Sequence, residues 1–155
     1  MVDQEFATKS VRMERLCLLT FQAPADDVDR IMEAVVKVTP LAMGNYDSNA
    51  YQSGLGTERY RPLEGAVAGP ESEIRKRPGT VEISFELPDD QKLIQQVVET
   101  IFQTHSYQEP VIRVWSILTS RSKGLDDSAN SNRWWNTTGD WKKKACEPNK
   151  NTPQE

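Results

Sequence analysis

The chain has 155 residues, with 19 Lys and Arg against 23 Asp and Glu and a single histidine, so its formal net charge is −4. This length fits one domain, or one domain with a tail, and 37% hydrophobic with 27% charged residues is typical of a soluble globular protein. No stretch approaches the roughly 18 apolar residues that a spanning helix needs, so we expect no membrane span.

The first predicted elements are a strand and a helix. The run Leu16–Phe21 is short, continuous and apolar, which favours a buried strand. Asp26 and Asp27 can begin a helix, and the residues after them place apolar side chains every three or four positions up to Val38, before Pro40. The pattern predicts β followed by α.

The next segments are punctuated by glycine and proline. Residues 44–52 and 57–62 contain β-branched, aromatic and turn-forming residues on either side of Ser53-Gly54-Leu55-Gly56. We expect them to pair as a hairpin. The polar loop 64–78 is long enough to cover or border another part of the molecule.

The rest of the domain adds a strand, a helix and a strand. Residues 81–87 alternate apolar and polar side chains, as in a strand with one dry and one wet face. Asp89 or Asp90 begins a second amphipathic helix that ends near Thr104-His105, and residues 111–118 form a last strand. The order β-α-β-β-α-β predicts an α+β, ferredoxin-like fold: an antiparallel sheet with two helices on one face. The other face of the sheet is left for water or a polar subunit interface.

Charge and apolar content change at about residue 118. Residues 119–155 carry a net charge of +2 and only seven apolar residues, whereas the first 118 residues carry −6. We therefore predict an N-terminal extension at 1–14, a folded domain at 15–118, and a partly flexible, tryptophan-containing tail at 119–155.

Three motifs carry a resemblance to a known family. They are Gly44-Asn45-Tyr46-Asp47, the run Gly54-Leu55-Gly56-Thr57 leading into Tyr60-Arg61-Pro62-Leu63-Glu64-Gly65-Ala66, and His105-Ser106-Tyr107-Gln108-Glu109-Pro110. With this spacing, residues 15–118 resemble the PII/CutA-like domain of the YqfO (Nif-three-like) family, which is inserted into a larger two-metal protein but also occurs alone.

The resemblance implies a ferredoxin-like fold related to the trimeric PII and CutA proteins. It implies no reaction, because the metal-binding part of the larger proteins is absent from this sequence. Asn49 stands where a cysteine is common, and Ala66-Val67-Ala68-Gly69 replaces the usual Gly-Ala-Asn-Pro run. Cysteine-dependent chemistry is therefore not expected.

The run from His105 to Pro110 holds the densest group of chemically capable side chains. A histidine near a carboxylate such as Glu109 can act as a general base or bind a metal. With one histidine and no nearby cysteine, a transition-metal site within one chain is disfavoured unless symmetry brings copies together. The alternative is structural: His105 and Tyr107 close the second helix, and Pro110 sets the start of the last strand.

Arg61 lies between Tyr60 and Pro62, and its guanidinium can bind a carboxylate or phosphate in a bidentate manner. The alternative is an ion pair with Asp47 or Glu109. No serine lies in a nucleophile motif, and Cys17 sits in the apolar run as a small filler, so hydrolase and acyl-transfer chemistry is disfavoured.

The tail mixes tryptophan with positive charge in Arg133-Trp134-Trp135 and Trp141-Lys142-Lys143-Lys144. Stacking on bases would use that mixture, yet the charge of −6 on the domain opposes a polyanion, so nucleic acid is not the expected partner. We expect the tryptophans to anchor the tail to its own domain or to a neighbouring subunit. A disordered tail is the alternative.

These patterns favour a non-enzymatic, homo-oligomeric binding or regulatory module, a dimer or trimer. We place it in the cytosol, since the first residues lack the basic region of a secretory leader. Its ligand would be a small anion or a divalent metal ion. The predicted ligand-binding residues are Tyr46, Asp47, Gln52, Arg61, His105, Tyr107 and Glu109, with His105 and Glu109 as the metal ligands.

Two other function classes stay open. One is a small-molecule enzyme that uses His105 as acid or base, assisted by Glu109 and Arg61. The other is an adaptor that docks a partner through the tryptophan-rich tail.

Overall fold

The computed structural model describes residues 4–125 and 127–136, and the chain divides into two compact units, residues 1–123 and residues 124–155. The described part of the first unit contains six strands and two α helices. They are β1 (Phe6–Ala7), β2 (Val11–Pro24), α1 (Val28–Val38), β3 (Tyr51–Gln52), β4 (Gly56–Tyr60), β5 (Arg75–Leu87), α2 (Gln91–Thr104) and β6 (Ile112–Ser122).

The strands form one antiparallel sheet around β2. β2 pairs with β6 on one side and with β5 on the other, and β1 adds a short pairing beside the first part of β2. β3 and β4 both pair with the outer edge of β5, so the order is β6-β2-β5 followed by β3 and β4. The predicted ferredoxin-like arrangement is confirmed.

The core lies between the sheet and the two helices. Alternate residues of β2 and β5 point to the same face, because side chains in a strand alternate. They meet the apolar stripes of α1 and α2, and Phe21 packs edge-on against Phe85 with ring centres 6.5 Å apart. The buried residues of this core are Cys17, Leu19, Phe21, Ala23, Val28, Ile31, Val35, Leu41, Val81, Ile83, Phe85, Leu87, Val97 and Ile101.

The second helix begins where the sequence predicts. The Oδ1 atom of Asp90 accepts hydrogen bonds from the backbone N–H groups of Lys92 at 2.9 Å and Leu93 at 3.3 Å. An aspartate at this position satisfies N–H groups that have no partner within the helix.

The predicted hairpin between residues 44–52 and 57–62 is wrong. β3 and β4 lie one after the other along β5, with Tyr51 opposite Ser84 and Glu58 opposite Arg77. The hydroxyl of Ser53 accepts a hydrogen bond from the N–H of Glu82 at 2.8 Å, so the chain stays beside β5 where a turn was predicted. The true hairpin joins β4 to β5 through residues 61–74, since β5 already begins at Arg75.

The face of the sheet opposite the helices is here called the open face. Leu16, Leu18, Thr20 and Gln22 of β2 alternate with core residues and point to it, and Trp115 lies opposite Leu18 across the β2–β6 pair. Two ion pairs also lie on it, Arg121 with Glu86 at 2.5 Å and Arg113 with Glu82 at 3.5 Å. Glu86 is the register partner of Leu18, so the open face combines apolar side chains with neighbouring charged pairs.

None of the helices in the described residues has the length and apolar content to cross a membrane.

The described part of the second unit is a short turn structure. A 3-10 helix spans Trp134–Asn136, and the side-chain amide of Asn136 donates to the carbonyls of Asp127 and Asn130, both at 2.8 Å. Arg133 pairs with Asp127, and its guanidinium lies 5.7 Å from the ring centre of Trp135. The part of the predicted tryptophan cluster formed by Trp141 and Lys142–Lys144 lies outside the described residues.

Candidate functional site

The turn after α2 carries three of the seven predicted binding residues. The backbone N–H of His105 donates to the carbonyl of Ile101 at 2.9 Å, and His105 is the C-terminal cap of the helix. Residues 105–111 then lead into β6. The sequence expectation that His105 closes the helix agrees with this geometry.

Both ring nitrogens of His105 are bonded to backbone groups. The N–H of Tyr107 lies 2.9 Å from Nδ1, so this nitrogen acts as an acceptor. Nε2 lies 2.8 Å from the carbonyl oxygen of Gln22, so it carries the hydrogen and donates it. The imidazole is thereby fixed as one neutral tautomer that ties the turn to the end of β2. A metal or proton transfer at His105 would have to displace one of these two partners.

The phenol of Tyr107 reaches the strand pair β4–β5. Its hydroxyl donates to Oε2 of Glu58 at 2.7 Å, and the hydroxyl of Thr80 donates to the same oxygen at 3.1 Å. Burial raises the pKa of Tyr107 above its ordinary value, and the negative charge and hydrogen bond of Glu58 also raise it. Hydrogen bonds with Arg77 and Thr80 act in the opposite direction without cancelling the shift.

Arg77 lies between two tyrosine rings. Its guanidinium carbon is 4.6 Å from the ring centre of Tyr107 and 5.0 Å from that of Tyr60. Its Nη2 atom donates a hydrogen bond to the hydroxyl of Tyr60 at 2.5 Å. A cation over an aromatic face is attracted by the ring quadrupole. Glu58, Tyr60, Arg77, Thr80 and Tyr107 are here called the tyrosine–arginine cluster, which joins the second and third sequence motifs.

The same turn has two further attachments. Arg30 of α1 pairs with Asp27 at 2.8 Å and donates to the carbonyl of Thr104 at 3.1 Å. The side chain of Gln108 accepts from the N–H of Val67 at 3.0 Å, so the loop 61–74 borders the turn, as its length suggested. The motif 105–110 is therefore the point where α1, α2, β2 and the β4–β5 hairpin are joined.

The remaining predicted residues are exposed, and no hydrogen bond or ion pair joins their side chains to this cluster within the described residues. Tyr46 and Asp47 line a shallow depression of about 510 Å³ together with Ala42, Gly44 and Asn45. The side chains of Gln52, Arg61 and Glu109 form no hydrogen bond or ion pair with the residues that the structure describes. The alternative that Arg61 pairs with Asp47 or Glu109 therefore does not hold within this part of the chain.

The first motif owes its shape to backbone constraints. Leu41 and Ser48 have positive φ angles of 49° and 53°, and the side-chain amide of Asn49 donates to the carbonyls of Leu41 at 3.0 Å and Tyr46 at 3.1 Å. Left-handed backbone at residues other than glycine is unfavourable and needs such support. Asn49 thus has a structural role at the position where the resemblance expects a cysteine.

Sequence reasoning missed Glu58, Arg77 and Thr80. Residues 64–78 were predicted to be loop, whereas Arg77 lies in β5 directly opposite Glu58. The run Arg75-Lys76-Arg77 before the alternating residues 81–87 could have indicated an earlier start of the strand, but such a run is equally typical of a charged loop. The contacts of Tyr107 with residues 49 positions away depend on strand register.

No three His, Cys, Asp or Glu side chains of the described residues are close enough to hold a metal ion together. A divalent ion bound by His105 and Glu109 would need further ligands from outside this set.

No family model matches this sequence, and no curated protein matches it. The structure is similar to a protein related to NIF3 from Bacillus cereus, with a TM-score of 0.57 and 19% identity over 70% of this chain. The chain spans about a quarter of the length of that protein, since the match covers 27% of it.

Two smaller proteins have similar structures. CutA1 from Shewanella sp. SIB1 has a TM-score of 0.49 and 16% identity, over 66% of this chain and 80% of that one. GlnK of B. subtilis has a TM-score of 0.45 and 12% identity, over 67% of this chain and 86% of that one. The predicted PII/CutA-like fold is confirmed. At these identities the likeness shows the fold and assigns no activity.

Proposed function

We propose that this protein is a homo-oligomeric binding module in which further copies of the chain cover the open face of the sheet. Its irregular segments, with their exposed polar side chains, bind a small anion or a divalent metal ion. Cytosolic location stays part of this proposal.

The observation that carries the proposal is the composition of the open face. Leu16, Leu18 and Ile117 are half-buried there beside Trp115, which is 46% exposed. Protein interfaces place aromatic and aliphatic side chains at the centre and charged groups at the rim. On this face the ion pairs of Glu86 and Glu82 lie on the β5 side of the apolar side chains.

A second copy is the occupant that this face suits best. In a two-fold dimer the same patch of each subunit forms the interface, so the apolar centre of one copy meets that of the other. Thr20 points to this face and its hydroxyl is buried without a hydrogen-bond partner among the described residues. That hydroxyl is already covered by its own chain, so the apolar side chains beside it, and not the hydroxyl, are the contacts open to a neighbouring copy.

The ligand part of the proposal rests on unpaired polar groups. Arg61, Glu109 and Gln52 are exposed and make no polar contact with described residues, which leaves them available to a ligand. Because both ring nitrogens of His105 are occupied by backbone groups, an anion near Arg61 is better supported than a metal at His105. The same occupation gives a catalytic role of His105 no support.

Sedimentation velocity at micromolar concentration tests the assembly, with Trp115→Glu as the variant. Phe102→Glu is the matched control, because Phe102 is 47% exposed on α2, in the helical layer that covers the other face. We expect the native chain and F102E to sediment as a dimer or trimer and W115E as a folded monomer. Loss of a central tryptophan typically costs 2 kcal/mol or more, about a 30-fold weaker association.

A native chain that is monomeric at these concentrations would contradict the proposal. Circular dichroism of both variants separates loss of assembly from loss of folding.

A further inference from the structure

Two positive side chains face each other across β4 and β5. Arg59 of β4 is the direct partner of Lys76 of β5, and both are exposed. Side chains at such positions have Cβ atoms about 5 Å apart, and like charges placed there destabilise the strand pair. Arg61 follows two residues later, directly after the end of β4.

The surrounding residues do not neutralise this group. Arg59, Arg61 and Lys76 have no ion pair or hydrogen bond of their side chains with the described residues. Among the acidic residues near this hairpin, Glu58 binds Tyr107 and Thr80, and Glu71 pairs with Arg75. Glu64 and Glu73 of the loop 61–74 form no ion pair with the described residues. Three cations thus stay together and unpaired in a unit that carries 14 basic and 18 acidic residues.

We propose that Arg59 and Lys76, with Arg61 beside them, form a binding site for a small phosphate-bearing anion with at least two negative charges. The inference rests on the proposed binding function and names its ligand class, but it does not depend on assembly, because all three residues belong to one hairpin. A guanidinium binds phosphate oxygens in a bidentate manner, and the lysine ammonium adds a mobile point charge. A bound phosphate relieves the repulsion between the two strands.

The charge of the unit favours a small ligand over a nucleic acid. A long polyanion bound at the hairpin would also approach the excess of acidic residues on the rest of the unit, whereas a small anion contacts the cations alone. Glu64 and Glu73 lie in the adjoining loop 61–74 and would repel an extended strand.

Edge protection is the competing explanation. β4 lies at the edge of the sheet, and charged side chains on an edge strand prevent pairing with other molecules. That role needs charge on the strand but no affinity for phosphate.

Isothermal titration calorimetry with inorganic pyrophosphate at low salt tests the proposal. The variant is Arg59→Gln with Lys76→Gln, and the matched control is Lys37→Gln with Lys92→Gln, which removes the same charge from exposed positions on α1 and α2. We expect R59Q/K76Q to bind pyrophosphate at least tenfold more weakly than the native chain and the control to stay within twofold. Binding should also weaken as salt is raised.

Three results would overturn the proposal. The first is that the native chain does not bind pyrophosphate. The second is that R59Q/K76Q binds it as well as the native chain; aggregation of that variant would then indicate edge protection alone. The third is that a single-stranded oligonucleotide binds more tightly than pyrophosphate. The same titration on W115E separates this proposal from the assembly, because a monomeric W115E that still binds pyrophosphate supports the site whatever the oligomeric state.

Discussion

In the 105–110 motif, side chains that could serve in catalysis or metal binding instead form hydrogen bonds within the fold. The imidazole of His105 binds two backbone groups, and the phenol of Tyr107 binds a carboxylate. Each of these side chains could act as a catalytic group, but each forms hydrogen bonds that hold the turn in place. Glu109 is the member of the motif that stays exposed and without a polar contact among the described residues.

The raised pKa of Tyr107 gives a prediction at this scale. Burial and then the carboxylate of Glu58 disfavour the phenolate, so Tyr107 should titrate above the ordinary tyrosine pKa of about 10. Absorbance at 295 nm during an alkaline titration should show a late component that Tyr107→Phe removes. Tyr51→Phe, at a side chain that is 69% exposed, is the matched control and should leave that late component in place.

The same shift fixes the sign of the pH effect on stability. Above the unfolded pKa of about 10, the unfolded chain loses the Tyr107 proton before the folded chain does. The stabilisation is therefore complete below that pH and is lost as pH rises through the folded pKa. If Y107F shows the same alkaline loss of stability as the native chain, the titration of Tyr107 is not the source of that loss.

The sequence allowed part of this site to be predicted. The capping role of His105 follows from its position after an apolar stripe, which is local information. The contacts of Tyr107 with Glu58 and Arg77 join residues 49 and 30 positions apart along the chain. They depend on the register of β4 against β5, which no local pattern of residues contains.

At the scale of elements, the turn after α2 connects several elements of the fold through polar contacts. His105 reaches the end of β2, Arg30 of α1 reaches Thr104, and Gln108 reaches Val67 in the loop 61–74. A short segment with so many polar attachments sets where α2 ends relative to β2 and β4. We infer that the motif is required for the arrangement of these elements.

His105→Ala tests this inference. The substitution leaves the carbonyl of Gln22 and the N–H of Tyr107 without their partners, and losing such hydrogen bonds costs about 1–3 kcal/mol. Urea denaturation should show that decrease in the free energy of unfolding. Glu109→Ala should change it by no more than about 0.5 kcal/mol, as is usual for exposed residues. An H105A variant as stable as the native chain would show that the turn is held by its other contacts.

The elements that the sequence predicted well are those with a clear period. The alternation in residues 81–87 and the stripes of α1 and α2 match the observed elements because burial on one face imposes that period. β2 was predicted only at Leu16–Phe21, whereas it spans Val11–Pro24, since its first residues are polar and gain their pairing from β6. The predicted hairpin of β3 and β4 was wrong because glycines such as Gly54 and Gly56 occur at a break between two strand segments as readily as in a turn.

At the scale of the whole molecule, the two faces of the sheet differ in how they are covered. The helices bury one side of the sheet, and the core between them accounts for most of the buried apolar residues. The other side keeps Trp115 exposed and the hydroxyl of Thr20 unpaired among the described residues. Fold class was predictable because periodicity encodes one buried face, whereas no period in the sequence indicates what contacts the second face.

Assembly through this face predicts a stability that depends on protein concentration. Any partner that binds the folded chain and not the unfolded chain stabilises it by mass action. For a dimer, each tenfold rise in concentration adds about 1.4 kcal/mol to the free energy of unfolding per dimer. The urea midpoint of the native chain and of F102E should therefore rise with concentration, while the midpoint of W115E should stay constant. A native midpoint that does not move across the same range would mean that no second copy covers the open face of this sheet.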